Sequence, residues 1–377
     1  MSRSLNILYI AYSLLPVSNE SCGGAEQVLC TLEREMNRGG HRTTVAACSG
    51  SRAAGELLAT GSPAAQPDCL EERQAEHHAA ILDFISSRRR NGEPLDLIHD
   101  HSGAFWPLAH KIDVPVLATL HLPRSYYPPD AFQDLPANVW LNCVSQSQFE
   151  TCCDIPNVVG AVGNGVDLEL FKPALSEREG YLLWMGRICE EKGPHVALDV
   201  AAMAGLPLVL VGKVYPFSYH QNYYEREILP RLEKLAGQVR HFSRASIQDK
   251  IGLLQRAHAV LIPSAVEETS SLVAMEAMAC GTPVIAFRRG ALAEIIQEEN
   301  TGFLVNSTEE MAEMVKRARE IDPSQCRRYA ERFHSAKRMS NQYESHYQRL
   351  LERATRELGL TAEGQDAATD FFTRPAA

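Results

Sequence analysis

The chain has 377 residues, more than the ~250–300 at which single hydrophobic cores stop growing, so two domains are expected. A formal net charge of −10 excludes a protein held to nucleic acid or anionic lipid by bulk charge, while leaving room for a local basic pocket. Ten scattered cysteines without paired CxxC motifs or structural zinc spacing suit reduced thiols in a cytoplasm, with Cys30, Cys48, Cys189 and Cys280 read as small core residues.

Asn6 to Ala11 is an apolar run and reads as a first strand; with no small-residue cleavage site after it, a secretory leader is not expected. Gly23-Gly24-Ala25-Glu26 then opens a helical pattern at Val28, Leu29, Leu32 and Met36, which Gly39-Gly40 closes. Glycines at a helix entry let a bound group approach the backbone amides, although the same pair also makes a plain tight turn. Thr43 to Ala47 is a second strand, Ser49 to Asp68 a mobile small-residue loop, and Leu70 to Arg90 a long helix. Its Arg88-Arg89-Arg90 end suits a helix C-terminus, which favours cations, and Asn91-Gly92 stops it there.

Asp96 to Asp100 and Val116 to Leu120 are further strands. Alternation puts His99 and His101 on one face, but no third ligand stands at a convincing spacing and no metal site is expected. His121 follows the carboxyl end of a strand, where parallel sheets place their ligands. After it, the Pro- and Tyr-rich stretch to Pro136 suits an acceptor-side loop, and strands at Val139 to Ser145 and Val158 to Val162 complete the first sheet.

Phe171-Lys172-Pro173 and the polar residues after it read as a linker, beyond which strands and helices alternate again as in a second parallel sheet. Tyr181 to Met185 ends in Gly186-Arg187, followed by Lys192-Gly193 and a helix opened by Pro194. Two cations beside a helix N-terminus suit a diphosphate, and an exposed basic loop would look the same. Leu208 to Val211, Val239 to Phe242 and Ala259 to Ile262 end respectively at Gly212-Lys213, Ser243-Arg244 and Pro263-Ser264, so these positions should share one sheet edge.

The stretch from Ala259 to Phe287 reads strand, carboxylate-rich turn, helix from Leu272, stop at Gly281, and strand. Glu268 precedes the helix, and the amides near Ser270 to Val273 offer a place for a phosphate or sugar oxygen. Glu276 lies among Ala274, Met275, Ala277, Met278 and Ala279, so it needs a partner. One long helix is expected from Pro323 to Leu358, and a disordered tail after it.

Together GGAE, the histidine that ends TLH, NGVD, GRICEEKG and the two glutamates of EETSSLVAMEAMACGTPVIAF resemble the family-four retaining glycosyltransferases (glycosyl transferases group 1). The resemblance implies an α/β protein of GT-B fold, two Rossmann-like parallel-sheet domains facing across a cleft. It divides the chain into an acceptor-side domain at 1–170, a nucleotide-sugar domain at 171–322, a helix at 323–358 packing back across the domains, and a tail at 359–377. It also implies transfer of a sugar from a nucleotide-sugar donor, foremost UDP-glucose or another UDP-hexose, to a small-molecule, lipid-linked or glycan acceptor, with no metal and no cofactor.

Under that resemblance Arg187 and Lys192 hold the diphosphate, Glu276 the ribose hydroxyls, and Glu268 the sugar hydroxyls. The amides of Ser270, Ser271, Leu272 and Val273 contact sugar and phosphate, Gly212 and Arg244 belong to the donor site, and Gly24 brings backbone to the diphosphate. His121 lines the reaction centre, and Asn164 shapes the junction of the domains. A cytoplasmic protein is expected, with at most peripheral membrane contact. The family commonly has Pro-Phe-Gly where Thr269-Ser270-Ser271 stand here, and a glycine where Ser243 stands. A nucleotide-sugar-binding protein without transfer activity and a nucleotide-sugar epimerase are the alternatives.

Overall fold

The computed structural model describes residues 3–63, 69–174 and 178–359. Its first sheet comprises β1 (Asn6–Ile10), β2 (Arg42–Ala47), β3 (Glu56–Ala59), β4 (Leu97–Asp100), β5 (Val116–Leu120), β6 (Val139–Cys143) and β7 (Val158–Ala161), in the order β3-β2-β1-β4-β5-β6-β7. The second comprises β8 (Leu182–Met185), β9 (Leu208–Val211), β10 (Val239–Phe242), β11 (Ala259–Ile262), β12 (Val284–Phe287) and β13 (Gly302–Val305), in the order β10-β9-β8-β11-β12-β13. Every pairing with a described register is parallel. Besides the helices described below, α3 (Gln146–Cys152), α4 (Pro194–Ala204) and α9 (Leu292–Ile295) connect strands, and α10 (Thr308–Arg317) follows β13. Strands buried on both faces are apolar throughout, which is why short runs such as Leu208–Val211 announce themselves in the sequence.

By internal contacts the chain divides into two compact units. Of the described residues, one holds those up to Thr119, Asp130–Asn142 and 341–359; the other holds Leu120–Pro129 and those within Cys143–Ser340.

In the first unit α1 (Gly24–Arg38) buries Val28, Leu29, Leu32 and Met36, as the spacing predicts. Its buried Glu33 accepts from the Thr43 hydroxyl (2.6 Å) and from the Ala54 and Gly55 amides (2.9 and 2.8 Å), steering the chain out of β2 and back along it. That contact corrects the loop expected at Ser49 to Asp68. β3 forms within it as an exposed edge strand whose residues carry no alternation, because it covers no core; residues 64–68 lie outside the described residues. α2 (Leu70–Arg90) has the predicted bounds, and its Arg88 and Arg89 pair with Glu56, Glu93 and Asp113.

The His99-Asp100-His101 motif forms a buried polar network. His99 bonds Tyr347 Oη (2.6 Å) and Thr119 Oγ1 (2.7 Å), and the Tyr347 hydroxyl lies 3.3 Å from that of Tyr9. Asp100 accepts from the amides of Ser102, Phe105 and Trp106. Of the four cysteines read as core, Cys48, Cys189 and Cys280 are buried while Cys30 is half-exposed.

In the second unit α7 (Ile247–Arg256) and α8 (Leu272–Ala279) cover the strands, and an ion pair joins them: Lys250 Nζ lies 2.6 Å from Glu276 Oε1. Between β9 and β10 the chain forms α5 (Ser218–Tyr223), a wide turn at Tyr224–Ile228 and α6 (Leu229–Lys234), the break falling just before Pro230, which has no N–H to donate.

The single long helix expected from Pro323 is two, α11 (Pro323–Phe333) and α12 (Ala336–Leu358). Between them His334 O accepts from Val166 N (2.8 Å) and Ala336 N donates to Val166 O (2.9 Å), so Ser335 lies extended beside the NGVD segment. From α11, Arg327 donates to the carbonyls of Leu168 (3.1 Å), Phe171 (2.6 Å) and Ala279 (3.1 Å). The expected tail lies outside the described residues from 360 on.

Two stability predictions follow from these burials. Desolvation pushes the Glu26 carboxyl up to about 7, so the folded chain binds its proton more tightly than the unfolded one. Stability contributed there is present below the ordinary carboxylate range and is lost as pH rises through about 7. Glu26→Gln should match the parent near the acid end and exceed it by up to roughly 3 kcal/mol above neutrality, measured by urea denaturation across pH. Lys250→Met leaves the Glu276 carboxylate buried without its cation and should cost about 3–5 kcal/mol by the same measurement, much of it restored in Lys250→Met/Glu276→Gln.

Candidate functional site

In an open parallel sheet, ligands sit beyond the carboxyl ends of the strands where the strand order reverses. In the second sheet that point lies between β8 and β11. The segments leaving these two strands carry Gly186-Arg187 to Lys192-Gly193 and Pro263-Ser264 to Ser271, which include Arg187, Lys192, Glu268, Ser270 and Ser271 of the residues singled out from the sequence.

The two segments meet through charge. Lys192 Nζ lies 2.6 Å from Glu268 Oε1, with 30% of the lysine side chain and 9% of the glutamate side chain exposed, so the carboxylate is turned inward and the cation remains reachable. The Ser264 hydroxyl donates to the same carboxylate oxygen. Lys192 is held from its backbone as well, its carbonyl accepting from Trp184 Nε1 (3.1 Å). Gly193 makes the turn possible: its φ is +63°, and a Cβ there would lie 2.2 Å from the Pro263 carbonyl oxygen. The loops after β8 and β11 therefore pack backbone to backbone.

Behind them α8 starts at Ser271, the N-cap, whose hydroxyl accepts from Ala274 N (3.4 Å). The Leu272 and Val273 amides, in the first turn, have no intrahelical acceptor and mark the positive end of the helix. Thr269 donates to the His121 carbonyl oxygen (2.8 Å), both lying in the second unit. Thr269 and Ser271, where this chain departs from the family's pattern, thus shape the loop through their own hydroxyls.

Two buried polar atoms of this region have no hydrogen-bond partner, Ser270 Oγ and Glu276 Oε2. Burial pushes the Glu276 carboxyl above the usual range, and the Lys250 ammonium opposes the rise. An acceptor left unmatched in such a place costs about 1–3 kcal/mol, which a ligand hydroxyl would recover. Lys250 is the member of this arrangement that the sequence did not single out; the signal was the need of Glu276 for a cation, not any feature of Lys250 itself.

The other candidates are placed as follows. Arg187 is exposed, with its guanidinium 5.8 Å from the centre of the Tyr215 ring. Gly212 follows β9 against the Gly186 carbonyl, which a Cβ would approach to 2.3 Å. Arg244 is exposed beyond β10. Desolvation pushes the His121 imidazole down to about 4, so the ring is neutral near physiological pH. Gly24 is the first residue of α1, in the first unit, and Asn164 is buried beside the Val166 segment. Among the described residues, one group of side chains has the spacing of a metal site, Cys189, Glu191 and His220.

Comparison with known proteins agrees with this architecture. The family described as glycosyl transferases group 1 matches residues 166–336, and the one described as Glycosyltransferase Family 4 matches residues 22–170. A D-inositol 3-phosphate glycosyltransferase of Arthrobacter sp. (strain FB24) is 31% identical over 159 residues, 38% of this chain and 37% of that enzyme, and one from Catenulispora acidiphila is 35% identical over 167 residues, 40% of this chain and 39% of that enzyme. The matched stretch thus spans well under half the length of either relative.

Among solved structures, sucrose-phosphate synthase from Thermosynechococcus elongatus superposes with a TM-score of 0.73 at 21% identity, covering 93% of this chain and 100% of that one. Anabaena HepE in complex with UDP-glucose gives 0.72 at 18% identity, covering 92% of this chain and 100% of that one. These likenesses show the fold, GT-B. With its two halves matched in turn by the models of that family, the chain belongs to the group 1, family-four glycosyltransferases.

Proposed function

We propose that this protein is a retaining glycosyltransferase that moves a hexose from a UDP-hexose, foremost UDP-glucose, to a small-molecule, lipid-linked or glycan acceptor, without a metal at the diphosphate. The observation that carries the reading is the Lys192–Glu268 pair at the sheet's reversal point, beside the unmatched Ser270 Oγ and Glu276 Oε2. A nucleotide sugar has a doubly charged linkage between two sets of hydroxyls, and these residues supply a reachable cation and two carboxylates. Anabaena HepE, similar in fold, was solved with UDP-glucose, which supports the choice of donor.

In this reading Glu276 Oε2 accepts from the ribose hydroxyls, while Arg187, Lys192 and the first amides of α8 hold the diphosphate. Glu268 orients the sugar through its hydroxyls. The bond from the anomeric carbon to the phosphate oxygen breaks as the acceptor oxygen bonds that carbon on the same face. The acceptor's proton passes to the departing phosphate, whose growing charge the two cations stabilise; removing one such group typically costs 10²–10³ in kcat. His121, neutral, lines the reacting sugar without adding a charge. No helix of the described residues is long and apolar enough to cross a membrane, which supports at most peripheral membrane contact; we place the protein in the cytoplasm.

Calorimetry and thermal shift against UDP, GDP, ADP and their hexose conjugates, with no added divalent cation, test the donor site. UDP and UDP-glucose should bind, and Lys192→Ala should abolish the shift. With an acceptor panel, Glu268→Gln should lower kcat by about 10²–10³ with smaller effect on UDP affinity. Silence with every nucleotide would overturn the reading; UDP binding without turnover would make this a binding protein, and sugar isomerisation without acceptor an epimerase.

A further inference from the structure

The loop after β8 holds a second cluster that the donor reading does not use. Cys189 and Glu191 lie in and beside its tight turn at Glu190–Lys192, and His220 reaches them from α5. One ligand atom from each of the three lies within 4.8 Å of the others. Cys189 is fully buried and His220 is 2% exposed.

Ordinary hydrogen bonding leaves this cluster incomplete. The Cys189 thiol donates to the Arg187 carbonyl oxygen (3.6 Å), but His220 Nδ1 and Glu191 Oε2 are buried without any hydrogen-bond partner. Around the imidazole stand the rings of Tyr215, Phe217 and Tyr219, at 6.2, 5.5 and 4.1 Å between centres, none of which supplies a second polar contact to Nδ1. Two orphaned lone-pair atoms, a carboxylate oxygen and a ring nitrogen in its unprotonated form, each cost about 1–3 kcal/mol when buried. A cation between them removes both costs.

We infer that Cys189, Glu191 and His220 form a binding site for a zinc-type divalent cation. The donor set selects the ion: a thiolate, an imidazole and a carboxylate suit Zn(II), whereas Mg(II) and Ca(II) take oxygen ligands. Bond lengths of about 2.0–2.3 Å to a common centre require the three atoms to draw in slightly from their present separations, a matter of side-chain rotation. Three protein ligands leave a fourth position for water, and the half-buried Glu191 is the side by which the ion enters. The ion's effect is positional. It fastens the turn that carries Arg187 and Lys192 to the helix that follows β9, so a contact remote from the diphosphate sets where its cations stand.

The test uses the full chain stripped of metal and titrated with Co(II) in the absence of nucleotide, so its outcome does not depend on the donor reading. One equivalent should produce the near-ultraviolet charge-transfer absorption of a cobalt–thiolate bond, displaced by Zn(II), and Zn(II) should raise the melting temperature. Cys189→Ser and His220→Gln should each lose the absorption, while Cys153→Ser, which removes an exposed thiol, should retain it. If either core variant fails to hold the parent's circular dichroism, Glu191→Gln, which preserves side-chain volume, should weaken Co(II) binding. Absence of the absorption at one equivalent, its survival in folded Cys189→Ser or His220→Gln, or an unchanged Co(II) affinity in Glu191→Gln overturns the site.

Discussion

A carboxylate withdrawn from water must have its charge answered, and here the answer to Glu268 is Lys192, 2.6 Å away. The other features of the site follow from the need to bring these two groups together. They leave different strands, 76 positions apart, and meet only because β8 and β11 are neighbours at the point where the strand order reverses. Gly193 lets the first loop bend past the Pro263 carbonyl, Trp184 fixes the carbonyl of Lys192, and Ser264 takes a further lone pair of the carboxylate. Such a pair contributes less to net stability than its geometry suggests, because desolvation opposes the attraction. Its use is to hold two chemically opposite groups side by side before a ligand arrives.

The second ion pair has a different character. Lys250 and Glu276 are both largely buried, and they join two helices rather than two loops. Since only one oxygen of Glu276 is taken, the pair neutralises the carboxylate and yet leaves it an acceptor. A fully satisfied glutamate would be inert, and one without Lys250 would be a buried charge left unanswered.

What the sequence made legible was whatever the backbone decides locally. The end of α2 could be set from its terminal arginines and Asn91-Gly92, and the parallel strands could be seen as apolar runs stopped by glycine, serine or lysine, which is why the site's edge was visible before its contents were. β3 was hidden because an exposed edge strand has no periodicity to show; the Glu33 contacts with Ala54 and Gly55 that set its course are tertiary. The division of α11 from α12 was hidden for the same reason, since the break at Ser335 answers to Val166 far along the chain. Glu276 announced that it had a partner, but nothing in the run around Lys250 distinguished that lysine from any solvated one. His220, in a short helix among aromatic residues, gave no sign that it would meet a cysteine and a glutamate 31 and 29 positions earlier.

Arg327 touches no candidate ligand group, but its guanidinium binds the carbonyls of Leu168 and Phe171 together with that of Ala279, the last residue of α8. A planar fork with several fixed donors can serve three carbonyls from one point. The segment leading into the second sheet and the helix that bears Glu276 therefore share a single fastening. Any survey that ranks residues by how much function disappears on substitution would score Arg327 among the binding groups. Structurally it is a common hinge pin, and its apparent importance would measure how widely its loss spreads rather than how close it stands to the chemistry.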